Sequence, residues 1–124
     1  MAVMLFTILI ALLAAFQLAL AAGAPLGSFA WGGAYPGKLP LPQRVGSVFS
    51  VVLYVVFTVI VFERGGVIRL LPEGFSRVGI WFVFGILVLS TVANFFSRSL
   101  KERIAMTPIA ALLSVLALVV ALQQ

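Results

Sequence analysis

Residues 3–22 read VMLFTILIALLAAFQLALAA, and this stretch contains no charged side chain and only two polar ones, Thr7 and Gln17. A helix needs about 20 predominantly apolar residues to cross the hydrocarbon core of a bilayer, which is about 30 Å thick. Residues 3–22 reach that length without a charge. They therefore predict a transmembrane helix.

The end of this stretch also has one feature of a signal peptide. Small residues follow the apolar segment at 19–24 (ALAAGA), as they do before a signal-peptidase cleavage site. However, no basic residue precedes the run, and the run is longer than the apolar region of a usual signal peptide. We therefore expect residues 3–22 to be retained as a helix, with cleavage as the alternative.

Three more apolar runs follow, at residues 45–62, 78–96 and 100–122. The composition of the whole chain agrees with them, because 64% of the residues are hydrophobic and 9% are charged, against about 25% charged in soluble domains. Since lipid offers backbone groups no water to bond, each run is predicted to be a helix. The sequence predicts an all-α membrane protein, a single domain over 1–124 that forms a four-transmembrane-helix bundle with a long Gly/Pro-rich first loop.

The start of the last helix depends on Ser99, Glu102 and Pro108. Ser99 and Glu102 have the spacing of a capping box, in which each side chain accepts a hydrogen bond from the other residue's backbone N–H. A helix that began only at Pro108 would have about 15 residues and would be too short to span. We therefore expect the helix to begin at Leu100 and to contain Pro108.

The connections predict an orientation and a cap. The first connection, residues 23–44, holds five glycines and four prolines, so we expect it to be non-helical and to fold back onto the bundle end, with Trp31 and Tyr35 at headgroup depth. Cytoplasmic connections carry an excess of Lys and Arg. The first and third connections together carry five such residues (Lys38, Arg44, Arg98, Lys101 and Arg103) and the second carries three (Arg64, Arg69 and Arg77). This difference favours both termini outside the cell.

Each predicted helix has one stripe of small or polar residues. The first helix has Ala11, Ala15 and Ala19 at intervals of four, which favours close helix packing. The polar members of the other helices are candidate ligand contacts or interhelical contacts: Tyr54, Thr58, Ser90 and Asn94. Interhelical packing is the simpler interpretation, and a polar cavity lined by these four residues is the alternative.

Several function classes are disfavoured by the residues that are missing. The chain has no His and no Cys, so we expect no metal site, no cofactor and no catalysis that needs a thiol or an imidazole. The three acids, Glu63, Glu73 and Glu102, are all expected at connections, which disfavours an enzyme and a proton-coupled transporter. The basic residues are scattered, so we expect no nucleic-acid partner. Arg98, Lys101 and Arg103 form a cluster that is expected to fix topology and to attract anionic lipid.

Two loop patterns resemble those of a family of small four-helix bacterial integral membrane proteins. The first comprises Trp31-Gly32-Gly33, the PGKLP segment at 36–40, and Arg44; the second comprises Asn94, the SRS segment at 97–99, and Glu102-Arg103. The resemblance covers nearly the whole chain and implies no activity, substrate or cofactor. It implies an inner-membrane location and a structured unit made from the first connection and the corner at 94–103.

Together these observations lead to two functional expectations. The first is a non-enzymatic binding or accessory protein that contacts lipid, partner subunits or other copies of itself. The second is a small transporter or channel that works as an oligomer and has a polar interior.

Overall fold

The computed structural model describes residues 1–72 and 74–123. Over these residues the chain forms four helices and no strand: α1 (Ala2–Ala21), α2 (Leu41–Arg64), α3 (Phe75–Phe95) and α4 (Leu100–Leu122). All four are long and apolar enough to cross a membrane. The all-α, four-span prediction is confirmed, and the chain is an integral membrane protein. Glu73, one of the three acids considered above, lies outside the described residues.

The helices run alternately up and down, and both termini lie at one end of the bundle. Gly65, just after α2, packs on Val3 at the start of α1, and Ile60 packs on Gly79 near the start of α3. The Arg64 guanidinium donates a 2.6 Å hydrogen bond to the backbone oxygen of Gln123 after α4. This end is called the terminal end below, and the opposite end, which carries the first and third connections, is called the loop end.

Helix α2 is longer at both ends than the predicted 45–62. It begins at Leu41, and Pro42 lies in its first turn, where the missing N–H of proline has no helical partner to lose. At its other end the Glu63 carboxylate accepts hydrogen bonds from the backbone N–H groups of Leu70 and Leu71. The expectation that the first connection is non-helical through residue 44 was therefore wrong for residues 41–44.

Apolar packing is concentrated at the terminal end. The fully buried side chains there come from all four helices and form one continuous cluster that includes Phe6, Val61, Ile80, Leu113 and Val120. Helix α4 contributes more buried positions than any other helix, and its packing against α3 is the most extensive of all the helix pairs. The terminal half of the bundle is thus filled with side chains.

The stripe predicted for α1 does not face the bundle. Ala11 and Ala15 are exposed, whereas Phe6, Ile10 and Leu20 are the buried residues of this helix. Large side chains fill the interior at this position, so the small residues are left on the outer surface. On α2 and α4, small and polar residues do face inward, as buried Ser47, Ser114 and Ala117 show.

Candidate functional site

The first connection, residues 22–40 in the structure, folds onto the beginning of α4. The Ser99 hydroxyl donates a hydrogen bond to the carbonyl of Ser28. A Cβ atom at Gly33 would lie 2.8 Å from the Cβ of Ser99, and a Cβ at Gly46 would lie 3.1 Å from the indole ring of Trp31. Both distances are shorter than an ordinary carbon–carbon contact. Glycine at these positions allows the loop to approach the helices.

Aromatic and basic side chains complete this covering. The Phe29 ring meets Phe16 of α1 edge-on, with centroids 6.4 Å apart, and the ammonium of Lys101 lies 5.8 Å from the centroid of the same Phe29 ring. Arg44 donates a 2.9 Å hydrogen bond to the carbonyl of Ala21. Phe29 therefore holds the loop to α1 and α4, and Arg44 joins the ends of α1 and α2 on either side of the loop.

Beneath the covered loop end lies a cavity of about 310 Å³. All four helices and the first connection line it, and its lining is both polar and aromatic. Its polar members are Gln17, Ser47, Ser50, Tyr54, Ser90, Asn94 and Glu102, and its aromatic members are Phe16, Phe29, Trp31, Tyr54 and Phe57. A cavity of this size is within the range of small-ligand sites in proteins.

The acid of the cavity, Glu102, adopts only half of the predicted capping box. Its backbone N–H donates to the Ser99 hydroxyl over 3.3 Å, as expected. The backbone N–H of Ser99, however, donates to the Ser97 hydroxyl over 3.1 Å and not to Glu102. The Glu102 side chain is instead 7% exposed and lines the cavity. The expectation that Glu102 lies at a connection, outside the bundle interior, was therefore wrong.

The Glu102 carboxylate has no protein donor among the described residues. No hydrogen bond or ion pair within residues 1–72 and 74–123 reaches its oxygen atoms, although its backbone N–H is satisfied. A buried carboxylate is costly unless a cation or hydrogen-bond donors compensate for the lost water. Among the described residues, the buried side-chain atoms that lack a partner are Arg64 Nε and Thr107 Oγ1, so the Glu102 oxygen atoms keep accessible surface and are open to whatever occupies the cavity.

A shallower depression on the outer surface adjoins the cavity. Trp31, Ala93, Asn94 and Glu102 line both spaces. The depression is also lined by Arg98 and by residues that include Phe96 and Ser97. Phe96 is 74% exposed at the end of α3, so the depression has an exposed aromatic side chain in its wall. The two spaces therefore share part of their walls.

Three of the four predicted polar contacts line the cavity together. Tyr54, Ser90 and Asn94 contribute to its wall. Thr58 does not line it, and its hydroxyl donates a 2.8 Å hydrogen bond to the carbonyl of Tyr54 one turn earlier in α2. The structure thus brings Tyr54, Ser90 and Asn94 to one site and leaves Thr58 bonded within its own helix.

The other predicted residues surround this site. Trp31 lies over Gly46 and lines both spaces, and its φ of +55° is unusual for a residue with a side chain. The Tyr35 hydroxyl lies 3.3 Å from the side-chain nitrogen of Gln43, which donates to it. Of the basic cluster, Arg98 lines the depression, while Lys101 and Arg103 are exposed in the first turn of α4.

Comparisons with protein families, with curated proteins and with solved structures find no match to this chain. Within the described residues, no group of three His, Cys, Asp or Glu side chains is placed to bind a metal ion.

Proposed function

We propose that this protein is a non-enzymatic binding protein of the membrane and that it holds a lipid headgroup in the cavity at its loop end. The observation that carries the proposal is the cavity of about 310 Å³, in which polar groups are set among a larger number of apolar ones, next to a depression lined by exposed Phe96. A lipid reaches such a depression from the side, because its headgroup fits the polar space while its acyl chains remain in the bilayer.

The chemistry of the lining favours binding over catalysis. General acid–base catalysis of hydrolysis commonly uses a pair of titratable groups with different roles. The cavity contains a single carboxylate, Glu102, and one phenol, Tyr54, together with hydroxyl and amide groups such as those of Ser90 and Asn94. These neutral groups are suited to holding a polar ligand by hydrogen bonds.

Co-purifying phospholipid, measured by mass spectrometry per mole of protein, tests the proposal. We expect Ser90→Leu, which places an apolar side chain in the cavity, to reduce retained lipid at least severalfold. Gly85→Leu is a matched control in α3, because a side chain at Gly85 meets open space and does not enter the cavity. Equal lipid retention by the two variants and the original chain would contradict a lipid site in this cavity.

A small transporter or channel that works as an oligomer is the second candidate, and the polar interior is the observation that favours it. In a single chain the cavity is closed toward the terminal end by the apolar cluster around Phe6, Leu113 and Val120. A continuous path would therefore need several chains or a rearrangement of this cluster. Solute flux in proteoliposomes, lost in Ser90→Leu and kept in Gly85→Leu, would support the transporter over the binding protein.

A further inference from the structure

We infer that the cavity selects a headgroup that carries both a primary ammonium and a phosphate, with Glu102 binding the ammonium and Arg98 binding the phosphate. This inference rests on the proposed function and specifies its ligand. The phosphatidylethanolamine headgroup has this chemistry in a lipid, and free phosphoethanolamine has it in a soluble molecule.

Glu102 supplies the first half of the argument. Its side chain is more than nine-tenths buried, lines both the cavity and the depression, and has no protein donor among the described residues. An ammonium group compensates such a carboxylate with charge and with N–H donors. A wholly anionic headgroup would instead bring a second negative charge to a buried carboxylate.

The remaining walls of the cavity suit a primary ammonium. Such a group has three N–H donors, and Glu102 accepts only part of them. Oxygen acceptors from Asn94, Ser90 and Tyr54 line the same cavity. The ring of Trp31 also lines it and provides a π face that attracts a cation, whereas the Phe29 ring already has the Lys101 ammonium 5.8 Å from its centroid. A quaternary ammonium has no N–H to donate and would leave these acceptors unused.

Arg98 supplies the second half. It lines the depression together with Glu102, and it lies outside the cavity on the exposed side. The arginine guanidinium forms paired hydrogen bonds to phosphate oxygens. A headgroup with its ammonium inward and its phosphate outward therefore meets charges of the correct sign in the correct order. Lys101 and Arg103, exposed nearby, add positive potential around the phosphate position.

Native mass spectrometry of the full chain, in detergent with added lipid, tests the inference. We expect phosphatidylethanolamine to be retained about tenfold more than phosphatidylglycerol or phosphatidylcholine at equal concentration. Glu102→Gln, which keeps the shape of the side chain, should remove the preference for phosphatidylethanolamine over phosphatidylglycerol. Arg98→Gln should weaken the retention of all three phospholipids, because all carry the phosphate. Glu63→Gln and Arg69→Gln change the same charges at the terminal end and should leave the lipid preference unchanged.

The outcomes separate the two proposals. Retention of phosphatidylglycerol equal to that of phosphatidylethanolamine, with no effect of Glu102→Gln, would overturn the inference and leave a lipid site standing. Retention of no lipid at all by the original chain would overturn the proposed function as well. If free phosphoethanolamine displaces the lipid at a concentration close to that of the lipid itself, the shared chemistry is supported and a soluble ligand is the source. Thermal unfolding midpoints of all variants show whether any loss of binding follows from loss of the fold.

Discussion

Adjacent glycines in the first connection provide a test of how this loop docks. Gly32 and Gly33 have φ values of +63° and +78°, a region in which a residue with a Cβ costs about 1–2 kcal/mol. They differ in surroundings. A Cβ at Gly32 meets nothing within 4 Å, whereas a Cβ at Gly33 would lie 2.8 Å from the Cβ of Ser99. The change of each glycine to alanine therefore separates backbone strain from loop docking.

The expected magnitudes follow from the contacts of Ser99. Gly32→Ala should cost about 1–2 kcal/mol of unfolding free energy, from backbone strain alone. Gly33→Ala carries the same strain and in addition moves Ser99 away from the loop. That movement weakens the N-cap bond from the Glu102 N–H, worth about 0.5–2 kcal/mol, and the bond to the Ser28 carbonyl, worth about 0.5–1.5 kcal/mol. The expected additional cost of Gly33→Ala is about 1–3 kcal/mol.

Thermal unfolding in detergent, followed by circular dichroism, measures the difference. For a chain of this size about 1 kcal/mol corresponds to about 3–6 °C, so Gly33→Ala should melt at least about 3 °C below Gly32→Ala. Ser99→Gly removes the Cβ that collides and should recover part of the loss in Gly33→Ala, because a glycine cap costs only a few tenths of a kcal/mol. Equal melting midpoints for the two alanine variants would refute close docking of the loop on α4.

Three further predictions concern other parts of the molecule. Trp31→Ala and Asn94→Ala should each lower the melting midpoint. Because both residues line the same two spaces, the double variant should show a smaller decrease than the sum of the two single decreases. Strictly additive decreases would argue against a shared structural unit. Leu113→Ala should cost about 1–3 kcal/mol through lost packing, because Leu113 is fully buried, while Leu122→Ala at the 62% exposed Leu122 should cost little; similar unfolding free energies would contradict the described core. A cysteine at exposed Ala34 should react with a membrane-impermeant reagent from the cytoplasmic side and one at exposed Val67 from outside; the reverse pattern would show that the bias in loop charge misleads.

The sequence predicts the spans better than it predicts the site. Long apolar runs have one stable solution in lipid, so the four helices follow from composition alone. The residues at which a helix begins and ends depend on local backbone chemistry, as the inclusion of Pro42 in the first turn of α2 shows. The phase of a helix around its axis depends on the tertiary packing of large side chains, which is why the Ala11 and Ala15 stripe was assigned to the wrong face.

The sequence did not lead us to predict Glu102 in a cavity wall, because the capping-box spacing already explained a glutamate at this position. The S-x-x-E spacing explains a glutamate at the third position of a helix without any tertiary contact. A longer-range signal was present, since Glu102 precedes Leu113 and Val120 by about three and five whole helical turns. Both of those residues are fully buried, so an interior direction for Glu102 follows from the period of α4 once its buried face is known.

The hydrogen bond between Ser99 and Ser28 joins residues that are 71 positions apart in the chain. At synthesis rates of about 5–20 residues per second, Ser99 leaves the ribosome roughly 4–14 s after Ser28. Throughout that interval the first connection has neither the serine that anchors it nor the helix that carries Glu102. The cavity is therefore completed last during biosynthesis, after three of the four helices have been made.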